Sequence, residues 1–253
     1  MPPFSRPGLH IASRSIVMAD KKTERLQAGS GWTAAFHASP DREAEMIIVA
    51  SLFPLLAASE RKFVETYGLS FLSEGGEHTV YLDATRKRVV KVAKEGVGIT
   101  LDLRKASREG EPGECLIARP ATPREYLRRI SLANKMLGDE ILVIGVVPRD
   151  GGSVAIVQTQ PYYGMNKPTE EMIDRHLRAL GFRLVNPAVI VGNDAMRFNT
   201  YYNEETNVLL GDCKTDNFCV KSAMNNPVPI DAIIAQPAGR MLEFIRGNLL
   251  SCC

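Results

Sequence analysis

The chain has 253 residues, 45% of them hydrophobic and 24% charged, enough for a substantial core in one domain or a two-lobed one. A formal net charge of +2, with the basic residues not gathered into a stripe, gives no nucleic-acid footprint, so no nucleic-acid partner is expected. The longest apolar run, Met46 to Ala58, is too short for a membrane span and contains Pro54, so no membrane association is expected and the chain reads as soluble.

Residues 1 to about 30 are rich in Pro, Ser, Arg and Gly without sustained periodicity, and a disordered N-terminal extension is expected over residues 1–35. A transit peptide is the sharper alternative, because the first nineteen residues carry Arg and Ser but no acid, and Met18 offers a second start of translation. From Asp41 to Tyr67 the pattern is helical, with Ser39 or Asp41 as a cap, Pro54 starting or kinking a second helix and Gly68 ending it. His78 to Leu82 and Arg88 to Ala93 read as a hairpin turned at Asp83-Ala84-Thr85-Arg86. Gly96 to Pro120 reads as a long polar excursion. A helix follows from Thr122, with Pro123 at its first position and Gly138 as its stop.

Glu140 to Val147 and Ser153 to Thr159 are expected to form a second hairpin around Arg149-Asp150-Gly151-Gly152. Beyond Gln160-Pro161 an amphipathic helix spans Pro168 to Leu180, capped by Thr169 and stopped by Gly181. Short strands are expected at Val185 to Val191, Thr200 to Tyr202 and Val208 to Leu210, and a closing helix at Met241 to Leu250. The five cysteines form no CxxC, and Cys115, Cys213 and Cys219 read as reduced thiols of a cytoplasmic protein. Cys213 and Cys219 have no nearby histidine to complete a zinc site, and the terminal Cys252-Cys253 does not fit a prenylation box.

The chemistry concentrates in Leu210-Gly211-Asp212-Cys213-Lys214-Thr215-Asp216-Asn217-Phe218, followed by Pro229-Ile230-Asp231. Phosphoryl transfer needs a carboxylate beside the attacking hydroxyl and hard oxygen ligands for magnesium. Asp212, Lys214 and Asn217 keep the intervals of a kinase catalytic loop, with Lys two and Asn five positions after Asp. Asn225-Asn226-Pro227 reads as a turn and Val228-Pro229-Ile230 as an extended run, so a hairpin is expected to return Asp231 to the metal. A surface loop explains the same residues, since Asp, Lys and Asn are common in turns.

Upstream, the elements a nucleotide site needs occur in order. Gly75 and Gly76 let backbone N–H groups approach phosphate oxygens. Lys91, in Val89-Val90-Lys91-Val92, falls between apolar neighbours and so calls for a buried partner or a phosphate, unless its strand lies at a sheet edge. Glu125 is the expected partner of Lys91, with Glu77 as a rival; a favourable helix N-terminal carboxylate is the plainer role for Glu125. Gln160 and Tyr162 lie where strands give way to helix, and their backbone is expected to meet the adenine edge.

With these runs, together with Thr122-Pro123-Arg124-Glu125-Tyr126-Leu127-Arg128-Arg129, Asn134 and Gly181-Phe182, the chain resembles the serine/threonine/tyrosine kinase domain of bacterial and phage polyvalent proteins over roughly Ser73 to Pro237. The resemblance implies an α+β, reduced two-lobed protein-kinase-like fold, with a small antiparallel-sheet N-lobe holding one main helix and a truncated C-lobe. On that basis residues 36–253 form one kinase-like domain, with leading helices at 36–70, the N-lobe at 71–160 and the C-lobe at 161–253.

The expected activity is ATP- and magnesium-dependent transfer of a phosphoryl group to an unidentified protein or small-molecule acceptor. Asp212 and Lys214 are the catalytic candidates, Asn217 and Asp231 hold the metal, and Gly75, Gly76, Lys91, Glu125, Gln160 and Tyr162 bind ATP. The chain departs from protein kinases in having Gly211 where His-Arg would precede Asp212, and Ala232-Ile233 where Phe-Gly would follow Asp231. Few residues then remain for a protein-binding lobe. The alternatives are an inactive pseudokinase serving as a nucleotide-binding or interaction module, and an unrelated α+β interaction protein.

Overall fold

The computed structural model describes residues 42–94, 98–108, 111–149, 153–191, 196–221 and 226–250. The expected N-terminal extension, the Ser39 and Asp41 caps, and turn residues 150–152 and 225 lie outside them. The described chain is α+β, with five helices and mainly antiparallel sheets. It forms two compact units: one holds the described residues up to Gly98 with Thr122–Ile130 and Glu140–Tyr162, the other Ile99–Ala121, Ser131–Asp139 and the chain from Tyr163 onward.

The first unit begins with helices α1 (Arg42–Leu52) and α2 (Glu60–Tyr67). The Ser59 hydroxyl caps α2 by accepting from the Lys62 N–H, and Gly68 closes it at φ +60°, the left-handed conformation that glycine tolerates best. Pro54 therefore does not start α2. Its carbonyl accepts the Val146 N–H at 2.9 Å while the Leu56 N–H returns to the Val146 carbonyl at 2.9 Å, so this stretch pairs with a strand edge.

The sheet of this unit is β1 (Ser70–Glu74), β2 (His78–Asp83), β3 (Arg88–Ala93), β7 (Val154–Pro161) and β6 (Leu142–Pro148), in that spatial order. Strand β1 was not foreseen in the sequence. Alternate residues of β3 and β7 (Val90, Val92, Ala155 and Val157) join Phe63, Leu69, Ile144 and Val147 in a core on one face. Helix α3 (Pro123–Leu137) is divided between the units after Ile130.

In the second unit, residues 99–120 correct the expectation of a polar excursion. They form a long hairpin, β4 (Ile99–Arg108) and β5 (Glu111–Pro120), paired from Ile99 opposite Pro120 to Arg108 opposite Glu111. Leu101, Leu103, Leu116 and Ala118 turn to the core while charged neighbours take the other face, so period two survives beneath a polar composition. With β8 (Arg183–Val191), β9 (Met196–Asn203), β10 (Val208–Gly211) and β13 (Ile233–Ala235) they build a six-stranded sheet in the order β13-β10-β9-β8-β5-β4. Only the β5–β8 pairing is parallel among them.

Leu101, Leu116, Val185, Tyr202, Leu209 and Ile233, from all six strands, share one core with Ile245 of helix α5 (Gly239–Gly247). Helix α4 (Glu170–Ala179) is capped by Thr169, as expected. A separate hairpin joins β11 (Phe218–Lys221) to β12 (Asn226–Pro229), so Asn226 and Pro227 are strand residues rather than a turn. Among the described residues no helix is long and apolar enough to cross a membrane.

Candidate functional site

In the second unit, register places two carboxylates at one end of the sheet. Strands β10 and β13 pair Leu209 with Ala235, Leu210 with Ile234 and Gly211 with Ile233. Asp212 follows directly on one strand, and Asp231 precedes the other by two residues. Glycine at 211 is favoured by close approach: a Cβ there would lie 2.8 Å from Leu101 Cδ1, and that side chain would have to shift. Asp212 itself has φ +54°, a left-handed conformation uncommon outside glycine though milder for aspartate, and this turns the chain sharply out of the sheet.

The loop is then fixed by its own hydrogen bonds. The Cys213 N–H donates to the Asn199 carbonyl of β9 at 3.1 Å, anchoring the segment that lacks a His-Arg pair. A single 3-10 turn, Thr215–Asn217, brings Asn217 back over Asp212. Asn217 Nδ2 donates to the Asp212 backbone oxygen at 2.8 Å and to Asp212 Oδ2 at 2.6 Å. Lys214 Nζ lies 3.1 Å from Oδ1, close enough for charge attraction but off the line of a directed hydrogen bond. The β11–β12 hairpin returns the chain so that the N–H groups of Ile230 and Asp231 donate to the Asn217 carbonyl at 2.8 and 3.3 Å. Asp212, Lys214, Asn217 and Asp231 are thereby brought together.

Burial raises the Asp212 pKa above its ordinary value, opposed by Lys214 and Asn217 and reinforced by the negative charge of Asp231. Burial also pushes the Cys213 thiol well up, which makes it an inert neutral group rather than a nucleophile. Around the loop, Lys167 pairs with Asp216 at 2.5 Å, the Val220 N–H donates to the Asn166 carbonyl at 2.8 Å, and Lys221 sits 5.8 Å from the Tyr163 ring centroid. The Lys167 pair is solvent-exposed and so worth little to stability.

Among the described residues there is no cluster of three or more His, Cys, Asp and Glu side chains suited to a metal. The donor set that does exist is one of oxygens. With its NH2 turned onto Asp212, Asn217 keeps its amide oxygen as its acceptor end, and Asp231 adds a carboxylate close enough to Asp212 for its charge to be felt there. Hard oxygen donors of this kind fit magnesium.

The first unit holds the other candidates. Lys91 is only 6% exposed and lies on β3 between β2 and β7, opposite Val80 and Gln158, so the edge-strand reading does not apply. Gly75 donates its N–H to the His78 carbonyl at 2.9 Å. A Cβ would meet nothing within 4 Å at Gly76 and only the His78 carbonyl, at 4.0 Å, at Gly75, so the turn does not itself need this glycine pair.

Glu125 forms a capping box: its Oε2 accepts the Thr122 N–H at 2.9 Å and its own N–H donates to Thr122 Oγ1 at 3.3 Å. Its rival Glu77 accepts from Arg129 Nη1 at 2.6 Å, in a pair 9% and 10% exposed. Gln160 is buried opposite Val89, and the Tyr162 N–H is committed to the Lys87 carbonyl at 3.0 Å.

Sequence reasoning missed the polar interior of this unit. His78 Nε2 and Tyr126 Oη are 2.6 Å apart, and Gly98 leaves room beside Tyr126 and Glu77, a Cβ there falling 2.7 and 2.8 Å from them. Gln158 was also passed over, although its place on a strand paired with that of Lys91 was the available signal. Comparison of the chain with protein-family models, curated proteins and solved structures gives no match. The kinase resemblance therefore rests on the motif residues alone.

Proposed function

We propose that the protein is an ATP- and magnesium-dependent phosphotransferase of protein-kinase type, acting on a hydroxyl acceptor. The observation that carries this reading is the closed Asp212–Asn217 arrangement, with Lys214 on the other carboxylate oxygen and Asp231 tied to Asn217. A surface turn satisfies its polar residues through water or local backbone. Here one carboxylate is instead held in a partly buried site with its pKa raised, the condition expected of a proton acceptor.

In this reading Asp212 orients the acceptor hydroxyl and takes its proton, and Asn217 fixes the Asp212 carboxylate. Lys214 offsets negative charge at the group in transfer. Asn217 and Asp231 would hold magnesium, which when bound supplies charge neutralisation at the phosphates. Lys91 contributes a cation for the nucleotide phosphates, and the Gly75-Gly76 backbone is open to close approach. Glu125 serves as the cap of α3, and any further part in placing Lys91 belongs to the proposal.

Asp231→Asn is expected to abolish magnesium-dependent transfer from labelled ATP while leaving the folded state intact; unchanged turnover counts against the assignment. The alternative is an inactive pseudokinase, which would use the same residues to bind a nucleotide without transferring its phosphoryl group. A nucleotide-induced thermal shift without any transfer would select it.

A further inference from the structure

Strand β7 lies between β3 and β6, and Gln158 stands opposite Lys91 on one side and Val143 on the other. Residues directly opposite in a sheet share a face, so Gln158, Lys91 and, two positions along, Gln160 lie on the face away from Val90, Val92, Ala155 and Val157. Gln158 is 4% exposed, and its Oε1 is buried with no hydrogen-bond partner. Glutamine is seldom buried, and a buried amide oxygen is normally satisfied. An apolar side chain of similar size would pack here without that penalty, so Gln158 is a poor choice for structure alone.

We propose that Gln158 is a ligand-recognition residue of the first unit, its Oε1 taking the hydrogen bond it lacks from the exocyclic amino group of an adenine nucleotide. The inference rests on the phosphotransferase reading and specifies which group of the nucleotide this face selects. Lys91 supplies the cation for phosphate and Gln158 the acceptor for the base amine, two demands that neighbouring polar side chains on one face can meet. A nucleotide with an oxo group in place of the amine sets that oxygen against Oε1, and can be accommodated only if the amide turns over or Oε1 shifts to the ring N1–H.

The test is titration calorimetry of the full chain with magnesium-ATP and magnesium-ITP, which differ at this position in carrying an amine or an oxo group. The wild type is expected to bind ATP at least about tenfold more tightly than ITP, as one hydrogen bond to a buried acceptor implies. Gln158→Met is expected to lose that preference while its melting temperature without nucleotide stays level or rises. Equal affinities in the wild type, or a preference retained in Q158M, would overturn the inference while leaving the phosphotransferase reading in place. Binding of neither nucleotide to the wild type overturns that reading and this inference with it. If Q158M does not fold, Gln158→Leu is put to the same comparison, with loss of the preference expected and a retained preference overturning the inference.

Discussion

Asn217 holds Asp212 at two points, donating from one amide nitrogen to the backbone oxygen at 2.8 Å and to the carboxylate at 2.6 Å. Replacing Asn217 with Ala removes both bonds and leaves a partly buried carboxylate short of a donor. The expected cost is about 2 to 3 kcal/mol in urea denaturation, with transfer activity lost as well. Near-wild-type stability would show that the two contacts are not what holds the loop.

Asp212 gives a pH signature. Its folded-state pKa is raised, so the folded protein holds this proton more tightly than the unfolded chain, and ionisation above the ordinary value of 3.8 costs stability. Asp212→Asn, which still offers Asn217 an acceptor, is therefore expected to melt at a higher temperature than wild type at pH 7. The gap should close as pH falls to 3.8 and below. Thermal melts across this range check the sign, and a variant that melts lower at pH 7 would reverse it.

Gly211 and Leu101 make a coupled pair. A methyl group added at 211 would fall 2.8 Å from Leu101 Cδ1, a side-chain end that is itself buried. Gly211→Ala alone is expected to cost about 1 to 3 kcal/mol by overpacking. Combined with Leu101→Ala it should cost less than the sum of the two single changes, and a double-mutant cycle measures the difference. Strict additivity would mean that the contact does not constrain the loop.

The Glu77–Arg129 pair belongs to the other unit and is nearly enclosed. Removing one partner, as in Arg129→Met, is expected to destabilise the protein, by up to about 3 to 5 kcal/mol, because Glu77 loses a 2.6 Å charged contact in a nearly enclosed position. The double change Glu77→Met with Arg129→Met should be closer to wild type. Denaturation of the single and the double variant tests this, and a double variant as weak as the single would show that packing, not charge, dominates.

The parts of the fold that could be read in the sequence were those written in local signals. Thr169, Gly68 and Gly138 bound their helices where capping rules put them, and the hairpin around Lys91 followed from its alternation. The β4–β5 hairpin was missed because Asp102, Arg104 and Lys105 dominate its composition, although Ile99, Leu101 and Leu103 keep period two. The β5–β8 pairing joins segments far apart in the chain, and no local pattern encodes it.

The candidate site divides in the same way. Asp212, Lys214 and Asn217 were legible because their geometry closes within six residues. The Glu77–Arg129 pair spans 52 positions, and nothing in the spacing distinguished Glu77 from Glu125 as a partner for Lys91. The absent His-Arg looked like a lost anchor, and the structure supplies another in the bond from Cys213 to Asn199.

The central claim is that this chain binds a nucleotide through Lys91. Titration calorimetry of wild type and Lys91→Ala with magnesium-ATP addresses it most directly, with circular dichroism as the check on folding. Saturable binding to wild type, weakened at least about tenfold in a folded Lys91→Ala, is the expected result for the loss of a charged contact to phosphate. Absence of binding to wild type, or equal affinity in both proteins, would contradict it.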